Sequence, residues 1–449
     1  MTTTNTTQAI TLVDRYIGEH TDDLIEAVRT LVRFKTESVD LLGLGDPLPN
    51  EEAQLQEWVA DRLAKQGFEV DQWEPDAAEL RDNRIVPEWH HWHDRPMTVG
   101  RLVGTGGGRS LMINGHVDVV PAGDVSRWTY PPFDPQIADG RIYGRGTTDM
   151  KGGIAAALIA VEALQACGVR LRGDVLFEAV TDEEIGGMGS VAAAARGYQA
   201  DAAIIPEPTS LNIYTATRGI LHARLEVVGR AAHAEVAQPD WRDGGGVNAN
   251  HMALRIADGL LGLEADRSSR PTLRHPLLSA PSLQITGFHG GSYIATIPEK
   301  AELLMNLTYL PVEADSNGFG SLVQAELEAV VDQVVSQQDW LAQHPPRWTW
   351  ILDYPPYELP AGSPILDAVI AAASDAGVRD PHAVGLDSGY DGAPLSALFG
   401  LKSVAFGPGD IQVAHSTDEF VPIDELVLAA KSIARMLIDW CEVDTTDNI

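Results

Sequence analysis

The sequence predicts an α/β protein, with a mainly parallel sheet flanked by helices on both faces and a smaller domain inserted into it. Three observations lead there. Short apolar strands alternate with helical segments through the first half of the chain, and the same character returns near its end. Between these parts the order becomes β-α-β-β-α-β, the split βαβ arrangement. Finally, 449 residues, 44% of them hydrophobic, exceed what one compact domain usually holds and supply ample core material. The expected division is 1–217 with 356–449 for the first domain and 218–355 for the insert.

In chain order, a loose start precedes a helix over Thr21–Phe34, where Leu24, Ile25, Val28, Leu31 and Val32 fall at helical spacing behind Thr21 as cap. Glu51–Gln66 is a second helix, ended by Gly67, and Phe68–Trp73 a strand. Pro75–Pro96 is irregular. It carries His90, His91 and His93, but without scaffold periodicity the segment reads as a surface loop rather than a metal site. Thr98–Val103 and Arg109–Val120 read as strands. The glycines at 104, 106, 107 and 108 lead into a strand rather than a helix, which favours a hairpin turn over a phosphate loop. A small-residue helix follows at Gly152–Ala166, with apolar strands at Gly173–Val180 and Ala203–Ile205. In the insert, Ile220–Val228, Ser282–Thr286, Ala301–Leu310 and Arg347–Leu352 read as strands, and Asn248–Leu263 and Leu322–Val335 as helices. Pro364–Cys441 returns to α/β character.

A formal net charge of -32 argues against nucleic acid and anionic membranes as partners. Two cysteines, Cys167 and Cys441, make no disulfide framework and read as small apolar residues in packed helices. The Thr-rich start lacks the pattern of a signal peptide, and no apolar run approaches the roughly 20 residues of a membrane span. The expected location is therefore cytoplasmic.

Acidic and imidazole residues recur at strand ends, where α/β proteins place their sites. In Gly115-His116-Val117-Asp118, the two-residue spacing turns both polar side chains the same way on a strand. They read either as a metal-binding His held by an Asp or as a buried His satisfied by a neighbour. Asp149, in Gly144-Arg145-Gly146-Thr147-Thr148-Asp149-Met150-Lys151-Gly152-Gly153, is either a carboxylate able to bridge two cations or a helix cap. Asp182-Glu183-Glu184 follows an apolar strand; three buried acids there need a positive neighbour, whereas a solvated acidic turn would not. Glu207 stands between two prolines, and His415 lies in a Gly/Pro-rich loop that runs on to Asp418-Glu419.

Taken together and in this order, these motifs resemble the metallopeptidase M20 family, the group of acetylornithine deacetylases, succinyl-diaminopimelate desuccinylases, carboxypeptidase G2 and aminoacylase-1. The likeness spans nearly the whole chain, and the insert is similar to that family's ferredoxin-like lid domain. The resemblance implies two divalent metal ions, zinc with cobalt or manganese as substitutes, held by His116, Asp149, Glu184, Glu207 and His415. Asp149 would bridge, His116 and Glu207 would take one metal, and Glu184 and His415 the other. Glu183 would be the general base, Asp118 would support His116, and His233 of the lid would stabilise the oxyanion. It also implies a cis peptide at Asp149-Met150 and a homodimer formed through the lid. Three carboxylates against two dications is a workable charge balance, whereas the same cluster without metal would repel itself.

The lid departs from better-known relatives. Where many carry an Asn and an Arg that hold a substrate carboxylate, the matching positions here are Ala295 and Thr308, with Tyr293 and Tyr309 beside them. Loss of a bidentate Arg argues against acetylornithine-type substrates. The pattern resembles a deacylase branch that includes formylaminopyrimidine deformylases. The expected activity is therefore hydrolysis of an amide in a small N-acylated molecule. The alternatives are a dipeptidase or carboxypeptidase on the same scaffold, or a non-catalytic binding protein. A serine hydrolase is disfavoured, since no Gly-x-Ser-x-Gly occurs.

Overall fold

A computed structural model describes residues 2–38, 50–80, 83–87 and 90–444. The chain divides into two compact units, one of residues 1–215, 359–385 and 390–449, the other of 216–358 with 386–389.

The first unit is built on a sheet whose strands run Glu69–Trp73, Met97–Leu102, Val175–Val180, Leu111–His116, Ala202–Ile205, Ser403–Ala405 and Ile213–Thr217 from one edge inward and across. Its four central strands, Val175–Val180 to Ser403–Ala405, are parallel, and the strands outside them are antiparallel. The central strands are buried at every residue, as expected of strands covered on both faces. On one face Met112, Leu176 and Ala203 pack with Ala194 and Leu395 from the short helices Met188–Ala195 and Gly392–Phe399, and with Leu401 just beyond the second. On the other face a Cβ at Gly115 would stand 2.8 Å from Ile154 of the helix Gly152–Ala166, so the missing side chain lets that helix lie close. The run Ala155–Ala157 and Ala160 lets helix Ile423–Cys441 pack tightly on it.

The second unit is an antiparallel sheet in the order Leu283–Gly290, Lys300–Tyr309, Gly219–Val228, Arg347–Tyr354, with helices Ala249–Ser269 and Ser321–Ser336. Strand Gly219–Val228 alternates along its length. Leu221, Ala223, Leu225 and Val227 face Ala253, Ile256, Leu260, Leu327 and Val331, while His222, Arg224 and Glu226 occupy the other face. The α/β class and the βαββαβ insert thus stand as the sequence predicts them.

Several local expectations change. The N-terminal segment forms a helix, Thr2–Glu19, because Ala9, Val13 and Ile17, four apart, bury one face. Thr21 is the first residue of its helix rather than the cap, and its hydroxyl donates back to the Gly18 carbonyl at 3.0 Å. The Gly104–Gly108 segment is not a hairpin, since strand Val175–Val180 lies between the strands it joins. These glycines permit close approach instead: a Cβ at Gly104 would sit 2.4 Å from the Arg172 carbonyl oxygen, and one at Gly108 2.3 Å from that of Cys441. Both cysteines are free. Among the described residues, no helix is long and apolar enough to cross a membrane.

Candidate metal centre

All four parallel strands deliver polar residues at their carboxyl ends. His116 is the last residue of its strand and Asp118 lies two further on; Glu183 and Glu184 follow Val180, and Glu207 follows Ile205. His415 sits in the loop after Ser403–Ala405, at a φ of 59°. Asp149 belongs to a tight turn, Thr147–Lys151, that opens helix Gly152–Ala166, and its peptide to Met150 is cis. Two glycines let these segments meet. A Cβ on Gly153 would lie 1.9 Å from the Pro206 carbonyl oxygen, and one on Gly407 2.6 Å from that of Glu207, so only glycine fits either place.

The side chains converge on Asp149. Its Oδ1 is 3.1 Å from His116 Nε2, and its Oδ2 is 3.4 Å from His415 Nε2. His415 Nε2 is also 3.0 Å from Glu184 Oε2, while His116 Nε2 is 3.8 Å from Glu207 Oε1 and 4.0 Å from Glu183 Oε2. One ligand atom from each of His116, Asp149 and Glu184 falls within 4.8 Å of the others.

Asp118 acts on two neighbours. The Nδ1 of His116 is 2.9 Å from the Asp118 backbone oxygen and 3.6 Å from its carboxylate, which directs Nε2 toward Asp149. The carboxylate itself accepts from the Ser38 hydroxyl and from the backbone N–H groups of Glu183 (3.3 Å) and Glu184 (3.2 Å), fixing where those two acids start.

The electrostatics are those of a crowded acid cluster. Burial first, then negative neighbours, push Glu183, Glu184 and Glu207 up. The Asp149 carboxyl is lowered: burial opposes its charge, but hydrogen bonds from His116 and His415 outweigh that. Hydrogen bonds to Asp149 and Glu184 push His415 up to about 10. His116 rises too, because its interactions with Asp118 and Asp149 outweigh burial. The residues fit a pair of divalent cations. Imidazole nitrogens and carboxylate oxygens are the donor set zinc takes, the two oxygens of one carboxylate face two imidazoles, and Glu207 Oε1 is buried with no hydrogen-bond partner.

Sequence reasoning missed the support around this cluster. Asp182, fully buried, accepts from Arg95 and is 2.8 Å from His90 Nε2, and Arg95 also grips Glu52. His90 and Arg95, both in the irregular segment, are therefore buried, not part of a surface loop, and Arg95 supplies a positive charge to the acidic run. A second buried network joins Glu178 and Ser190 through Asn114, and Ser190 donates to Asp391 at 2.6 Å. No local pattern marks Glu178 or Asp391 in the sequence.

The lid residues divide. His233 is exposed, in a two-residue strand paired with Thr296–Ile297, and its Nδ1 accepts from the Glu235 N–H at 3.3 Å. Tyr293 is 69% exposed. Tyr309, however, is fully buried and its hydroxyl donates to the Tyr354 carbonyl at 3.1 Å, so it is a core residue and no substrate contact. Thr308 is buried as well, its hydroxyl accepting from the Ser282 N–H at 3.0 Å.

An α/β sheet with imidazoles and carboxylates gathered beyond its parallel strand ends is the build of a metal-dependent hydrolase. Residues 112–439 match the model of peptidase family M20/M25/M40, and the chain belongs to that family. It is 28% identical to an N-formyl-4-amino-5-aminomethyl-2-methylpyrimidine deformylase of Bacillus subtilis, over 97% of this chain and 98% of the relative. A deformylase of the same name from Halalkalibacterium halodurans is 26% identical over 95% and 96%. Among solved structures, the dipeptidase Dug1p of Saccharomyces cerevisiae superposes with a TM-score of 0.73 at 18% identity, covering 96% of this chain and 98% of that one. Human carnosine dipeptidase 1 gives 0.72 at 17%, covering 96% and 100%. At such identities these two structures speak for the fold alone.

Proposed function

We propose that this chain hydrolyses the amide bond of a small N-acyl amine, removing a formyl or similarly small acyl group, with two divalent cations, zinc foremost. The observation that carries the reading is the Asp149 carboxylate, which offers one oxygen toward each of two imidazoles while Glu207 keeps an unpaired oxygen beside them. The two deformylase relatives, alike over nearly their full lengths, support an N-formyl aminopyrimidine as the substrate type. The absence of an Arg at Thr308 points the same way, since a neutral heteroaromatic amine needs no carboxylate clamp.

His116 and Glu207 would hold one cation, Glu184 and His415 the other, and Asp149 would contribute to both. Bound there, divalent cations would polarise a scissile carbonyl and lower the pKa of water toward about 7. Glu183 takes the proton from the attacking water and returns it to the leaving amine, a role suited to a carboxyl that burial pushes up. Asp118 fixes the start of the Glu183 side chain through the backbone. His233, to which the family resemblance gives the oxyanion, has its Nδ1 accepting from the Glu235 N–H, which leaves Nε2 as the nitrogen able to donate.

The test is a substrate panel on protein loaded with zinc or cobalt, comparing N-formyl aminopyrimidines, N-formyl and N-acetyl amines, acetylornithine and dipeptides. The formyl compounds should turn over fastest, and chelation should abolish that turnover. Preference for dipeptides or acetylornithine would overturn the substrate reading; undiminished turnover after metal removal would overturn the mechanism.

A further inference from the structure

Four residues beyond His415, a second acid is buried without any of the features of a ligand. Glu419 is 0% exposed, and every lone pair of its carboxylate is engaged. Oε1 accepts from the backbone N–H groups of Thr148 (2.9 Å) and Asp149 (3.1 Å). Oε2 accepts from the Gly146 N–H (3.1 Å) and from the Arg145 guanidinium. A carboxylate has about four acceptor sites, and four donors fill them, so this group has no oxygen left for a cation. Glu207 presents the opposite case, with one oxygen unclaimed.

The donors belong to the turn that carries Asp149. Main-chain bonds complete the join: the Gly144 N–H donates to the Glu419 carbonyl at 2.9 Å, and the Thr148 hydroxyl to the Phe420 carbonyl at 2.5 Å. From Phe420 the chain pairs as a strand with Arg141–Tyr143, just before that turn. Upstream the loop is tied through Gly409 and Asp410, and Ser416 bonds back to the Val413 carbonyl, but these bonds fix neither the His415 side chain nor its distance from the Asp149 turn. His415 and Asp418 both adopt φ of 59°, the His415 side chain is half-exposed, and Asp418 reaches out only to the exposed Thr129 N–H.

We infer that Glu419 is a positioning residue that locks the His415 loop to the Asp149 turn, so that the imidazole and the shared carboxylate arrive at one cation with their spacing already set. This rests on the two-cation reading above. It predicts a larger effect on the half of the centre that includes His415, because Asp149 is common to both halves but, among the described residues, the His116 and Glu207 strand ends make no bond to Glu419.

The experiment is a titration of metal-free protein with Co2+, read by its absorption bands, alongside the thermal midpoint of the same metal-free samples. Wild type should take up two equivalents. In Glu419→Gln the amide cannot accept from Arg145 and the three N–H groups at once. One equivalent should then lose about 10–100-fold in affinity, and the other distinctly less. Glu419→Asp, which keeps the charge beside Arg145 but retracts it by one methylene, should show the same selective loss with a smaller change in midpoint, and it carries the test if the glutamine variant does not fold. Arg145→Met separates positioning from stability: the carboxylate keeps its three N–H donors, so the midpoint should fall further than in Glu419→Gln while both equivalents still bind. Equal weakening of both equivalents in step with the midpoint, or no change in either, would overturn the proposal. A wild type that takes up no divalent metal would instead overturn the two-cation reading itself, and the proposal with it.

Discussion

His116 and His415 address the two oxygens of one carboxylate from different kinds of scaffold. His116 ends a central strand, is fully buried and has its second nitrogen bonded to the Asp118 backbone. His415 rides an irregular loop with 52% of its side chain exposed. The contrast teaches that one half of the centre is positioned by the sheet and needs little else, whereas the other is positioned by contacts that the loop makes after the histidine. It also separates two consequences of mutation, since a group set deep in the sheet contributes to folding as well as chemistry.

The largest effect should fall on chemistry alone. Glu183→Ala should lower turnover by about 10²–10⁴-fold, while cobalt titration still finds both equivalents; loss of an equivalent would make Glu183 a ligand and redraw the buried half. Next comes the support beneath the acidic run. Arg95→Met takes the guanidinium from Glu52 and Asp182 in the interior and should cost about 3–5 kcal/mol in urea unfolding; a loss under about 1 kcal/mol would mean that the acidic run needs no cation there. The two histidines test the comparison directly. In metal-free protein His116→Ala should cost about 2–3 kcal/mol and His415→Ala about 0.5 kcal/mol or less, although both should lose turnover. Equal unfolding costs would erase the asymmetry.

A further effect depends on pH. Burial first, with the nearby Asp391 charge, holds Glu178 up at about 8 against its ordinary 4.5, although its bond from Asn114 pulls the other way. The folded state therefore binds this proton more tightly than the unfolded chain does. Stability is unaffected below about pH 4.5, declines as pH rises from there to about 8, and then levels off. Glu178→Gln should abolish that decline, gaining on the order of 1–3 kcal/mol above pH 8 and nothing at pH 4. Parallel unfolding curves for the two proteins across this range would contradict the assignment.

The sequence made the residues that cluster around Asp149 visible because each follows a short apolar strand or sits among glycines, and both are local patterns. It did not make their supports visible. Arg95 lies 43 residues from Glu52 and 87 from Asp182, in a segment without periodicity, and only the folded chain joins them. The glycines at 104–108 were misleading for a related reason: two strands flanking a turn read as a hairpin until a third, seventy residues later, proves to lie between them. Tyr309 alternates correctly along its strand, yet a Tyr whose hydroxyl has a buried partner looks in sequence like one awaiting a ligand. Glu419 stood in plain view beside His415, but its work is done on the backbone of another segment, which side-chain spacing does not report.

The position of Ser403–Ala405 has a consequence for biosynthesis. That strand lies between Ala202–Ile205 and Ile213–Thr217, so the large sheet stays split while the intervening two hundred residues leave the ribosome. The smaller sheet, by contrast, has all four of its strands once Tyr354 has emerged. The insert is thus free to fold first, and the nascent first unit waits with its sheet open until Ser403–Ala405 has emerged, the interval in which it has most need of a chaperone.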